Sequence, residues 1–144
     1  MPQIWANNLS TTLAAGITAS ATSITLASGA AVPAVPAGGM LTLTITQPNA
    51  PESSWEVVSF PGPIAAGATT LTGATRGVEA CGGVAASATD VAWPAGSKVE
   101  QRLTAAQVNA MNTLTSALAT AITQTTLPST PGVIWNNGGS LSVS

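Results

Sequence analysis

The 144-residue sequence contains no histidine and no tyrosine, one phenylalanine, one cysteine and only eight charged side chains. Each scarcity excludes something. Without histidine the chain lacks the commonest general base and the commonest metal ligand. No catalytic residue, cofactor or metal ion is therefore expected. A single cysteine, Cys81, cannot form an internal disulfide. With no histidine to activate it, it reads as a small buried or incidental thiol. Three basic residues and a net charge of −2 provide no basic stripe to neutralise phosphates, which argues against a nucleic-acid partner. Thr, Gly and Pro break every apolar stretch well short of 18 residues, so neither a transmembrane helix nor a membrane partner is expected. No basic segment followed by an apolar one opens the chain, and no signal peptide is expected.

The shortage of large side chains bears on the core. Apolar residues make up 45% of the chain, a normal share, but Ala, Val, Ile and Leu supply most of it. Large aromatic residues give the most burial per residue. A monomer would thus have a thin core for its length, and packing between subunits would supply the missing burial. The charge distribution points the same way. All eight charged residues lie between Glu52 and Arg102, while residues 1–51 and 103–144 carry none. Soluble proteins usually keep away from neutrality to avoid association. Long uncharged ends rich in Ser and Thr suggest surfaces made to touch other protein, and a homo-oligomer is expected.

What is present is strand and turn chemistry. In "ATSITLASGAAV" (21–32), Ile24 and Leu26 share one face and Thr25 takes the other, which predicts a short strand. The prolines and glycines of "VPAVPAGG" (32–39) predict a loop. "MLTLTIT" (40–46) alternates strictly, with Leu41, Leu43 and Ile45 on one face, and predicts a strand with one apolar face. After turn chemistry at 47–54, "WEVVSF" (55–60) is a β-rich run. Short strands are predicted within 67–77, with Leu71 inward, and within 96–103. Such spacing, punctuated by Gly and Pro, predicts a small β-sandwich or barrel over residues 1–102.

The character changes at Leu103. Residues 103–124 contain no Gly or Pro and are rich in Ala, Leu and Gln, which predicts one long α-helix. Thr104, with Gln107 three residues later, forms a capping-box signature. Val108, Met111, Leu114, Leu118 and Ile122 recur in steps of three or four and define an apolar stripe. Such a stripe packs either on its own domain or in a helix bundle between copies. These five residues, with Trp135, are the candidate oligomer interface. Residues 125–144 read as an extended proline-punctuated arm and a C-terminal β-hairpin. There Asn137-Gly138 supplies the turn signal, since both residues tolerate positive φ.

Carboxylate chemistry finds little support. Glu52, Glu56 and Glu79 fall in or near turns, Asp90 and Glu100 stand alone, and nothing marks a sugar cleft around any pair, so a glycosidase is not expected. The glycines of "GVEACGG" are followed by no Lys-Ser/Thr and form no phosphate loop. Arg76 in "TRGVE" reads as a structural residue that pins a turn by charge-assisted hydrogen bonds. Glu56, Gly77 and Glu79 complete that candidate turn.

Several of these segments together resemble a module of tailed-bacteriophage virion proteins. In it a Trp-Glu strand precedes a Leu-Thr-x-x-Thr-Arg-Gly-x-Glu turn, followed by an Ala-Trp-x-Ala-Gly-x-x-Val strand and an Arg-Leu-Thr-Ala helix start. The matching residues are Trp55, Glu56, Leu71, Thr75, Arg76, Gly77, Glu79, Trp93, Gly96, Val99, Arg102 and Leu103. "PGVIWNNGGSLSVS" is similar to the closing hairpin of phage tail-fibre and head-fibre proteins, and "NNLSTTLAAGITASATSITLASG" to their starts. The resemblance implies a structural, non-enzymatic virion protein of tail-fibre type, assembled in the bacterial cytoplasm. It also implies a homotrimer whose partners are other tail or capsid proteins. A capsid decoration protein or head fibre would need the same kind of chain. A third reading, of another class, is a carbohydrate-binding module that uses Trp5, Trp55, Trp93 or Trp135 as stacking platforms.

Overall fold

A computed structural model describes residues 2–48, 54–78, 91–126 and 128–144. Glu79 and Cys81 lie outside the described residues. Among the described residues the chain is mainly β, with one helix and a C-terminal hairpin. It divides into two compact units, Met1–Arg102 and Leu103–Ser144.

The first unit contains β1 (Ser10–Thr12), β2 (Ser23–Thr25), β3 (Met40–Thr46), β4 (Trp55–Pro61), β5 (Thr70–Thr72) and β6 (Lys98–Glu100). An antiparallel sheet runs β1-β6-β3-β4, and β2 pairs antiparallel with β5. Single-residue bridges join the two sheets. Leu13 pairs with Leu26 beyond the ends of β1 and β2, and Ser59 of β4 pairs with Thr75 beyond β5. Among the described residues, backbone pairing therefore passes from strand to strand in a closed circuit, in the manner of a small barrel.

Side-chain alternation sets the inside. Leu41, Leu43 and Ile45 of β3 face the same way as Phe60, Val58 and Glu56 of β4 and Val99 of β6. With Leu9, Leu13, Ile24, Leu26 and Leu71 the apolar members form one core. The only phenylalanine, Phe60, is wholly buried within it. The threonine face of β3 departs from the expectation of a single apolar face, because Thr42, Thr44 and Thr46 are buried as well. A threonine tolerates burial when its hydroxyl finds a partner, and the Thr42 hydroxyl donates to Gln3 Oε1 at 2.7 Å.

Small residues let this unit close. A Cβ on Gly29 would sit well inside contact distance of the Gly67 and Ala68 carbonyl groups, which are backbone and cannot swing away. Gly29→Ala is expected to destabilise the unit by about 1–3 kcal/mol. Thermal unfolding would check this, and an unchanged midpoint would mean that the two loops do not pack as described.

The second unit contains α1 (Ala105–Thr123), β7 (Ile134–Asn137) and β8 (Ser140–Val143). Thr104 caps α1 in the expected capping box: its hydroxyl accepts from Gln107 N–H, and Gln107 Oε1 accepts from Thr104 N–H. The hairpin turn falls one residue later than Asn137-Gly138. Asn137 still pairs with Ser140 in the strand, and Gly138 and Gly139 take the positive φ values, 61° and 100°. Two consecutive left-handed residues are least strained when both lack a Cβ.

Candidate assembly interface

The structural turn residues gather into a buried pin. Glu56 lies on the inward face of β4 and is wholly buried, and Arg76 is 5% exposed. Arg76 meets Glu56 in a two-pronged pair, Nε to Oε1 at 2.7 Å and Nη2 to Oε2 at 2.6 Å. The Glu56 carboxylate also accepts from Gly77 N–H at 2.9 Å and from Trp93 Nε1 at 2.6 Å. Its two oxygens thus take four donors, which fills their lone-pair positions. The rest of the guanidinium donates to the carbonyls of Thr18, at 3.1 Å, and Val91, at 2.9 Å, with longer contacts to Ala19 and Ala21. Glu79, the carboxylate nearest Arg76 in sequence, is outside the described residues. Glu56, the expected turn residue 20 positions upstream of Arg76, supplies the counter-charge, and Trp93 joins the cluster as a member not expected there. With all its acceptor positions filled, the Glu56 carboxylate has none left for a substrate. Its geometry suits holding three chain segments together.

The candidate interface residues lie in the second unit. Val108, Met111, Leu118 and Ile122 follow a spacing that, with Thr115, runs three-four-three-four along α1, and Leu114 lies beside them. This is the seam spacing of packed helices. The five apolar members of the stripe are 42–71% exposed, and Ala121 alone of the helix is buried. Elsewhere on the helix the hydroxyls of Thr113, Thr120 and Thr123 donate back to carbonyls of the preceding turn, so part of the polar face satisfies itself. No charge stands anywhere along it.

The hairpin is tied to the end of this helix by Asn136. Its backbone N–H donates to the Gln124 carbonyl at 2.9 Å, and its side-chain amide to the Ile122 carbonyl at 2.8 Å. These are carbonyls that a helix end leaves without intrahelical partners. The same side chain accepts from Gly139 N–H at 2.6 Å and so fastens the turn. Between helix and hairpin lies an apolar cleft of about 480 Å³, lined by residues including Leu118, Ala121, Val133 and Ile134. Trp135 points to the other face of the hairpin and is half-buried, and its indole N–H has no acceptor among the described residues. Ile134, Leu141 and Val143 share the opposite face and are 50–67% exposed.

Burying a large aliphatic side chain is worth about 1.5–3 kcal/mol, so each half-exposed residue here retains roughly 1 kcal/mol that a partner could release. Chemistry of other kinds is sparse. Among the described residues no cluster of His, Cys, Asp and Glu could hold a metal ion, and no helix is long and apolar enough to cross a membrane. No protein-family model matches the chain, and no curated protein matches it.

Proposed function

We propose that this chain is a structural protein of a tailed-bacteriophage virion, an appendage component of tail-fibre type that works as a homo-oligomer, with three copies expected. The observation that carries the oligomeric part is the exposed, uncharged apolar row of α1, continued by the hairpin, in a unit whose helix buries only Ala121. Most of a helix's stability in a protein comes from packing of its apolar face, and α1 leaves that face largely uncovered among the described residues. The virion part rests on the resemblance. Its Trp-Glu, Arg-Gly and Ala-Trp pairs supply Glu56, Arg76, Gly77 and Trp93, which here bond to one another in a single buried pin. Residues that bond one another in the interior constrain folding, and such a motif suits a structural module. A capsid decoration protein or head fibre would use the same features at another virion position.

Size-exclusion chromatography with light scattering should give about three times the 14.1 kDa chain mass, and a monodisperse monomer at micromolar concentration would remove the oligomeric reading. Peptides of this chain should be present in purified particles of its phage, and their absence from particles would remove the virion reading. Trp5, the most exposed of the four tryptophans at 48%, favours a second reading as a glycan-stacking site. That reading predicts quenching of tryptophan fluorescence by oligosaccharides, lost in Trp5→Ala. A glycan screen without binding would exclude it.

A further inference from the structure

Asn137 is the one asparagine of the chain that a glycine follows. Asn137 and Gly138 are both exposed. Neither the Asn137 side chain nor the Gly138 N–H has a hydrogen-bond partner among the described residues. The neighbouring Asn136 is held in the opposite way: its amide donates to the Ile122 carbonyl at 2.8 Å and accepts from Gly139 N–H at 2.6 Å. Asn109 and Asn112 lie within α1, where the backbone N–H after each is committed to the helix ladder. At the tip of the hairpin, by contrast, a side-chain amide and the next backbone N–H are both left free.

We propose that Asn137-Gly138 is a self-modification site, at which the chain deamidates without an enzyme to give aspartate and isoaspartate. The Gly138 nitrogen, once hydroxide has taken its proton, attacks Cγ of Asn137. Covalent neighbours meet at high effective concentration, so the attack needs no second protein. The N–Cγ bond forms, the Cγ–Nδ2 bond breaks, and the departing nitrogen takes a proton from water and leaves as ammonia. Water then opens the cyclic imide. Breaking the new N–Cγ bond gives aspartate. Breaking the bond from that nitrogen to the backbone carbonyl carbon gives isoaspartate, with the chain routed through the side chain. One water is consumed and one ammonia released overall, and nothing is oxidised or reduced.

Ring closure requires the backbone at 137–138 to rotate out of strand geometry. A Cβ on the following residue hinders that approach, and Gly138 has none. A Cβ built on Gly138 or Gly139 would meet nothing within 4 Å, so the turn has open space to move into. The consequences fall on the second unit. Residues 103–144 carry no ionisable side chain, and either product puts the first carboxylate there. Isoaspartate also lengthens the backbone by a methylene between Asn136 and Gly139, whose contact fastens the turn, and next to the Asn137–Ser140 pair. The hairpin then loses its register at the turn. None of this depends on the copy number of the protein.

The test holds the full chain at neutral and mildly alkaline pH and maps its peptides by mass spectrometry at intervals. Asn137 should convert at least about 10-fold faster than Asn7, Asn8, Asn109, Asn112 or Asn136, with both products present and a rate that rises with pH. Asn137→Gln keeps an amide on a longer stem, where closure would need a larger ring, and should stay unmodified at that position over the same period. Amide hydrogen exchange at residues 134–143 should quicken in the converted chain and stay constant in the glutamine variant aged beside it. Conversion at Asn137 no faster than at Asn7 or Asn8 would overturn the proposal. So would conversion seen only in urea, since the folded hairpin would then shield the amide. Aspartate without isoaspartate would mean direct hydrolysis of the side chain and would rule out attack by Gly138. Unchanged exchange after conversion would show that the turn keeps its register, against the loosening argued above.

Discussion

Glu56→Ala is expected to lower the stability of the β unit by about 3–5 kcal/mol, the usual cost of removing one partner of a buried ion pair. The reason is what remains behind. Arg76 would keep a guanidinium at 5% exposure with no counter-charge, and the Trp93 and Gly77 N–H groups would lose their acceptor. For a unit of about 100 residues a loss of that size lowers the melting temperature on the order of 15 °C or more. Glu56→Gln should cost less, because it keeps the shape and one acceptor oxygen while removing the charge. Arg76→Lys should resemble Glu56→Ala more closely than its charge suggests, since an ammonium cannot grip both carboxylate oxygens and the Thr18 and Val91 carbonyls at once. Urea unfolding at fixed protein concentration would measure the series. A loss below about 1 kcal/mol for Glu56→Ala would mean that water reaches the pair and screens it.

The size of that effect follows from how the unit is built. Its core has one phenylalanine and otherwise mostly aliphatic side chains, and its strands β1, β2, β5 and β6 are three residues each. Ladders so short hold their register weakly. The pin joins the 18–21 segment, β4, the turn after β5 and the segment at Val91–Trp93. Directional polar contacts thus take over positioning that a larger aromatic core would provide by packing.

How far these features could be read from the chain depended on whether their cause was local. The bounds of β3, Met40–Thr46, were legible because strict alternation is a property of seven consecutive residues. The start of α1 was legible because Thr104 and Gln107 satisfy each other within one turn. The hairpin was legible from its Asn-Gly-Gly stretch, though not the placement of its turn on Gly138-Gly139. Nonlocal causes were not legible. Glu56 belongs to the turn expected around Arg76, but the place of Trp93 on the same carboxylate does not follow from the chain, since the fold brings it across 37 residues. The bridges Leu13–Leu26 and Ser59–Thr75, which complete the circuit of strands, have no pattern of their own. Periodicity located the stripe of α1 but could not say what covers it, since a helix shows the same spacing in either case. The tether through Asn136 was likewise hidden, because the residue is also a plausible turn former.

Leu118→Glu is the change with the largest expected effect on assembly. Leu118 stands in the seam of α1 and also lines the cleft beside Val133 and Ile134, so a copy packed on the apolar row would cover it. A carboxylate there would have to leave water with no cation to meet it, as the chain has no basic side chain beyond Arg102. Burial of an unpaired charge is costly enough that the dissociation constant should rise at least about 100-fold. Because the helix buries only Ala121 within the chain, dissociation and loss of helix should occur together. Circular dichroism should show the helical signal falling at concentrations where the wild type keeps it. The β unit should still melt at its original temperature, since its core contains none of these residues. Ser116→Glu supplies the control, with the same charge on the same helix roughly 160° around from Leu118, and it should leave the assembly intact. If both variants dissociate, negative charge anywhere on α1 is the cause. If neither does, the apolar row faces water in the assembled protein as well, and the copies are held together elsewhere.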